Sequence, residues 1–198
     1  MDSAALFSIG YSGFWDNMSG FVDMLKKFDI KVLIDVRSKP YSVHSPEFNK
    51  ENLESVLNQS GIYYRNYATE FGAQQENRSL YPNGYLDFEL FSRSRAFQRG
   101  VEKVRKSVAQ GYKLAFMCAE KEPIHCHRTI LVSKAFSDMG YEIIHILPNG
   151  NTKTQHDVDN ELMIENPPSF FDDANENALT IAYRKQNEKI GFRLENLK

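Results

Sequence analysis

Tyr112-Lys113-Leu114-Ala115-Phe116-Met117-Cys118-Ala119-Glu120-Lys121-Glu122-Pro123-Ile124-His125-Cys126-His127-Arg128 is the stretch whose reading decides the fold. A short apolar run over Tyr112–Met117 reads as a buried strand. It ends on a thiol, passes through a polar loop, and leads into a helix carrying Ile130, Leu131, Ala135, Phe136 and Met139, closed by Gly140. The same strand–loop–helix grammar recurs on both sides. Upstream, Leu6–Ile9 reads as a first strand, and Met18, Phe21, Val22, Leu25 and Phe28 fall at helical spacing with Asp16 as the expected cap. Lys31–Val36 is rich in β-branched residues and reads as a second strand. A helix opened by Ser45-Pro46-Glu47 follows, with Leu53, Val56 and Leu57 inward, and Ile62–Tyr67 reads as a third strand. Thr69–Gly84 reads as a long loop, and Phe97, Val101, Val104 and Val108 mark a further amphipathic helix. Downstream, Tyr141–Leu147 is expected to be the last strand, ended by Pro148-Asn149-Gly150.

Strands alternating with helices predict an α/β fold with a mainly parallel sheet flanked by helices. Residues 1–150 form the expected α/β domain. Residues 151–198 form an acidic C-terminal extension, with a helix expected from about Phe170 to Ile190. The two segments differ in charge, at net +1 and −3, so the whole-chain value of −2 conceals a slightly basic domain. That balance gives no global drive toward DNA or anionic lipid. The chain has 198 residues, 41% of them hydrophobic, which is enough for a sizeable core and excludes disorder or a fibrous repeat. The N-terminus has an acid where a signal peptide carries basic charge, and no apolar run is long enough for a membrane span. A soluble cytoplasmic protein with reduced thiols, and no membrane partner, is expected.

In open parallel sheets, ligands bind beyond the carboxyl ends of the strands. Three expected strand ends carry polar or flexible residues: Gly10-Tyr11-Ser12, Asp35-Val36-Arg37-Ser38 and Cys118-Ala119-Glu120. The last leads into the densest chemistry in the chain, which holds its only two cysteines, Cys118 and Cys126. A helix N-terminus favours anions and lowers a thiol pKa, and an arginine adds a planar fork for an oxyanion. One reading is therefore a thiol- or carboxylate-dependent enzyme, a hydrolase or transferase. Cys118 or Cys126 would be the nucleophile, Glu120, His127 and Asp35 would move protons, and Arg37, Arg128, Ser12 and Tyr11 would bind an anionic phosphate- or nucleotide-containing substrate. This reading calls for no cofactor. A second reading makes Cys118, Cys126 and His127, or His125, ligands for zinc, although an eight-residue separation is not a finger spacing. A third makes Arg37, Lys39, Arg65, Arg78, Arg93, Arg95 and Arg99, with Tyr41, Tyr63, Tyr64 and Tyr81, a nucleic-acid surface. The plain alternative for each residue is a structural role: a small buried cysteine, an Asp35–Arg37 ion pair, a loop acid at Glu120.

Several separated blocks resemble the domain of unknown function 488 family, a group of uncharacterised bacterial proteins. Ser8-Ile9-Gly10-Tyr11-Ser12 is similar to its first-strand motif, with Tyr11 standing where a histidine is frequent. Asp35-Val36-Arg37-Ser38-Lys39-Pro40 and Pro46-Glu47-Phe48-Asn49 resemble a second block. Glu70-Phe71-Gly72-Ala73 resembles a third, with Ala73 at the place of a second glycine. Cys118-Ala119-Glu120 with Cys126-His127-Arg128 is the most specific block, and His145-Ile146 matches the closing strand. The resemblance spans about residues 6–150 and implies no activity. A looser likeness links the strand–Cys118–loop–Arg128 unit to rhodaneses and cysteine-dependent phosphatases, where a strand-end cysteine lies in an anion-cradling loop.

Overall fold

A computed structural model describes residues 5–197; residues 1–4, read above for targeting, lie outside the described residues. Its centre is a six-stranded sheet built from β1 (Ala5–Gly10), β2 (Val32–Asp35), β3 (Tyr63–Asn66), β4 (Leu114–Cys118), β5 (Glu142–Ile146) and β6 (Thr152–Thr154). The spatial order is β3-β2-β4-β1-β5-β6. The first five strands are parallel, and β6 pairs antiparallel with β5. The α/β class with a mainly parallel sheet is therefore correct. Tyr141–Leu147 is not the last strand, because Pro148-Asn149-Gly150 turns the chain back into β6 rather than ending the sheet. The sheet thus runs past residue 150.

Alternation along the strands sorts side chains between two cores. One core takes Leu6, Val32, Ile34, Leu114, Phe116 and Cys118. The other takes Phe7, Ile9, Leu33, Ala115 and Met117. The second core is covered by α1 (Met18–Lys27) and α2 (Lys50–Gln59), through Phe21, Leu25, Leu53 and Leu57. The first is covered by α3 (Ala68–Phe71), α4 (Phe88–Ser92), α5 (Arg95–Ala109), a π-helical segment over Arg128–Ser133 that continues as α6 (Lys134–Asp138), and the C-terminal α7 (Gln155–Glu165) and α8 (Ala178–Ile190). The chain therefore leaves β1 toward one face and β4 toward the other, although these strands are neighbours with Gly10 beside Cys118. Adjacent strands with diverging exits open a crevice at their carboxyl ends. The cysteine loop sits there.

Several local expectations change. Asp16 does not cap α1: it lies at φ 55°, and Asn17 instead accepts from the Gly20 N–H at 2.9 Å. Thr69–Gly84 is not one long loop. Phe71 ends the short α3 and anchors an aromatic cluster with Phe97, Phe116 and Phe136 (centroids 5.0, 6.1 and 6.2 Å), burial that an isolated phenylalanine in a polar stretch did not signal. The C-terminal segment holds two helices rather than one from Phe170 to Ile190. Thr154 and Asp157 form a capping box that starts α7, while Phe170 and Phe171 stay exposed in the connection to α8. Among the described residues, no helix is long and apolar enough to cross a membrane.

Candidate functional site

The sequence-predicted residues fall into two clusters on opposite faces of the sheet. Asp35 ends β2 beside Met117, in the register that faces α1 and α2. Its carboxylate accepts from the Arg37 backbone N–H at 3.0 Å, from Arg37 Nε at 2.9 Å and Nη2 at 2.6 Å, and from the Tyr64 hydroxyl at 2.7 Å. Arg37 Nη2 also donates to the Phe48 carbonyl at 2.9 Å. The guanidinium lies 5.0 Å from the Tyr11 ring, which stacks on Phe48 at 4.5 Å. Burial opposes the Arg37 charge, but the Asp35 bond and charge outweigh it and raise the pKa further; burial and Asp35 likewise raise Tyr64. Asp35 and Arg37 are 0% and 5% exposed, a buried ion pair on the face away from the thiols, and Arg37 Nη1 has no hydrogen-bond partner among the described residues.

The other cluster gathers at the end of β4. Glu120 is exposed overall, yet one carboxyl oxygen, Oε2, turns inward and lies 3.1 Å from Cys118 Sγ and 3.0 Å from Cys126 Sγ. Cys118 Sγ is 3.7 Å from His127 Nδ1. His127 Nε2 is 2.9 Å from the Val36 carbonyl. A carbonyl can only accept, so Nε2 carries the proton and Nδ1 faces the sulfurs. Val36 thus links the two clusters through its backbone.

The protonation states are mutually dependent. The hydrogen bond with Cys126, then burial, then the charges of Cys126 and Glu120 push the Cys118 thiol well up. Burial also pushes Cys126 up, but the bond from Cys118 and the positive charges of Arg128 and His127 outweigh it and hold that thiol well below its usual range. Burial lowers His127, and its bond and charge partner Cys126 more than reverses this, so it is raised. Burial, with the Cys126 charge, raises Glu120.

Arg128 is completely buried and every partner it has is neutral. Nε donates to Ser8 Oγ at 3.4 Å, Nη2 to the Lys121 carbonyl at 3.3 Å, and Nη1 to the Glu120 carbonyl. It therefore clamps the loop rather than presenting a free fork. Gly10 makes that loop path sterically feasible: a Cβ there would lie 1.9 Å from the Glu120 carbonyl oxygen. His125 is not in the cluster, because it is exposed and its Nδ1 lies 3.3 Å from Gln186 Nε2 on α8. Gln186 also donates to the Ile124 carbonyl at 2.8 Å, so the C-terminal helix braces the cysteine loop. Ser12 contributes its backbone N–H to the Ala119 carbonyl at 3.0 Å.

Two residues that site-by-site reading passed over complete the buried shell. Ser8 and His145 are register partners on β1 and β5, on the Arg128 side. Ser8 Oγ and His145 Nδ1 are 2.7 Å apart, His145 Nε2 is 3.0 Å from Gln155 Oε1, and Gln155 Nε2 donates to the Tyr183 hydroxyl at 2.8 Å. The amide nitrogen is thus committed as a donor, so His145 Nε2 holds the proton and Nδ1 accepts from Ser8. Burial, helped by the Arg128 charge, pushes the His145 pKa down to about 3. The available signal was a polar residue interrupting each of two apolar strands.

The basic surface expected for nucleic acid is incomplete. Arg37, Tyr64 and Tyr81 are buried, and Arg93 is paired with Glu89; Lys39, Arg65, Arg78, Arg95 and Arg99 are exposed.

A family model described as a domain of unknown function, DUF488, matches residues 17–135, more than half of the chain. The chain belongs to the DUF488 family. The matched span contains Asp35, Arg37, Cys118, Glu120, Cys126, His127 and Arg128, whereas the Ser8–Ser12 and His145 blocks lie outside it. The buried network under the DUF488 cysteine loop is thus supplied partly by flanking sequence. No curated protein and no solved structure matches the chain.

Proposed function

We propose that this DUF488 chain is a metal-binding protein in which Cys118, Cys126 and His127 hold a soft divalent cation, zinc before others. The observation that carries this reading is the donor geometry. Both sulfurs and a ring nitrogen of His127 lie within 4.8 Å of one another. Zinc–sulfur and zinc–nitrogen bonds of about 2.3 and 2.05 Å give a tetrahedral S···N edge of about 3.6 Å. The Cys118 Sγ–His127 Nδ1 separation is 3.7 Å. The Val36 carbonyl fixes the His127 ring by its far nitrogen, the usual outer-shell arrangement for a metal-ligating histidine. Two thiolates with an imidazole are a soft set suited to zinc rather than magnesium or calcium.

Burial weighs against a nucleophile: Cys118 and Cys126 are 4% and 1% exposed. Arg128 donates to Ser8 and to two loop carbonyls, which weakens the case for an anionic substrate at that residue. The test is elemental analysis of tag-free full-length protein purified without chelator, followed by titration with zinc and cobalt(II). About one equivalent of metal, lost in Cys118→Ser, Cys126→Ser and His127→Ala, is the expected result. A folded chain that is metal-free and takes up neither ion overturns the reading.

A further inference from the structure

We infer that Glu120 is the fourth ligand of this centre, and that the position it holds is exchangeable and open to solvent. The inference rests on the metal reading above and specifies what kind of site it is. Glu120 Oε2 is almost equidistant from the two sulfurs, at 3.1 and 3.0 Å, so the carboxylate caps the Cys–Cys edge. Cys118, Cys126 and His127 present donor atoms within 4.8 Å of one another, and Glu120 approaches this group over its sulfur edge. The backbone beneath the carboxylate is fixed, because the Glu120 carbonyl is clamped by Arg128 and packed against Gly10. The fourth donor is therefore delivered by a braced loop rather than a wandering side chain.

Charge supplies an independent argument. Arg128 is a fully buried cation whose partners are one hydroxyl and two carbonyls. A buried charge with only neutral partners is costly, unless an anion lies close by. A divalent ion with two thiolates, one neutral imidazole and one carboxylate carries net −1, which Arg128 balances. Without the carboxylate the centre is neutral and Arg128 has no counter-charge.

Exposure separates Glu120 from the other three donors. Cys118 and Cys126 are buried and His127 is half-buried, while Glu120 is exposed as a residue with only its Oε2 side turned toward the sulfurs. Closed structural zinc sites bury all four ligands among Cys and His; sites with three protein ligands of this kind and an exchangeable fourth position admit water or an oxygen-donor substrate. The ligand class that fits this position is a small anionic or neutral oxygen or nitrogen donor.

The experiment loads the full chain, its Glu120→Gln and Glu120→Ala variants with cobalt(II), and records absorption before and after adding azide. All three proteins are expected to show a thiolate-to-cobalt charge-transfer band, since both sulfurs remain. The variants should show shifted visible d–d bands, and azide should perturb them at concentrations that leave the wild type unchanged. Excess azide should reproduce the shift in the wild type by displacing the carboxylate. Unchanged d–d bands in both variants, with no azide response in any protein, overturn the Glu120 assignment while leaving the three-ligand centre standing. Absence of the charge-transfer band from the wild type overturns the metal reading itself, and the Glu120 assignment with it.

Discussion

Acidifying the protein from pH 7 to pH 5 should remove about 2 kcal/mol of stability through His145 alone. His145 is fully buried, and its ring bridges Ser8 Oγ and Gln155 Oε1 in the neutral form. Its folded pKa is about 3 against an ordinary 6.5, because burial and the Arg128 charge both disfavour the imidazolium. The unfolded chain therefore takes up a proton as pH falls below 6.5, while the folded protein does not until near 3. Stability from this group is complete above 6.5, declines as pH drops toward 3, and levels off below that. At pH 5 the unfolded histidine is about 97% protonated, and a lag of 1.5 pH units at 1.36 kcal/mol each gives about 2 kcal/mol. The pH 5 value depends only on the unfolded pKa so long as the folded one stays below about 4. Urea unfolding of the wild type and of His145→Gln at the two pH values isolates the effect, because other titrating groups cancel between the proteins. The variant starts less stable, having lost the ring's bonds, but it should lose about 2 kcal/mol less on acidification. Equal losses in the two proteins, within about 0.5 kcal/mol, would refute the buried neutral imidazole.

Two further changes probe the two faces of the sheet. Gly10→Ala places a methyl 1.9 Å from the Glu120 carbonyl oxygen, so the cysteine loop must move; a loss of about 1–3 kcal/mol by urea unfolding, with weakened cobalt uptake, is expected, and wild-type stability with undiminished uptake would contradict it. Asp35→Asn leaves the 5% exposed Arg37 without its counter-charge and should cost about 3–5 kcal/mol, with much of this recovered in an Asp35→Asn/Arg37→Met double variant; a loss below about 1 kcal/mol would show that the pair contributes little.

The two-residue alternation of a strand, already present in the sequence, decides which face of the sheet each strand-end residue joins. Asp35 and Cys118 both end strands on the same edge of the parallel sheet, but they face opposite sides, since Asp35 sits beside Met117, one residue before Cys118, and successive residues point to opposite faces. Register between strands is set by pairing, so only the assembled sheet could show that a one-position offset separates the two groups. The packing of the C-terminal segment was likewise beyond local reading, because Gln155 and Gln186 bond to His145 and to the Ile124 carbonyl, which belong to other elements.

The sequence by itself determined the α/β class, the parallel strands and the strand–loop–helix unit that carries Cys118, Glu120, Cys126, His127 and Arg128. These follow from local periodicity and from residues close along the chain. Tertiary structure alone decided what those side chains do. The thiols, the carboxylate and the imidazole come together because Arg128 and Gly10 fold the loop back over the end of β1, and Val36, just beyond the end of β2, orients His127. Arg128, the expected anion fork, is spent on that folding because a buried guanidinium must satisfy its donors with whatever backbone lies nearest.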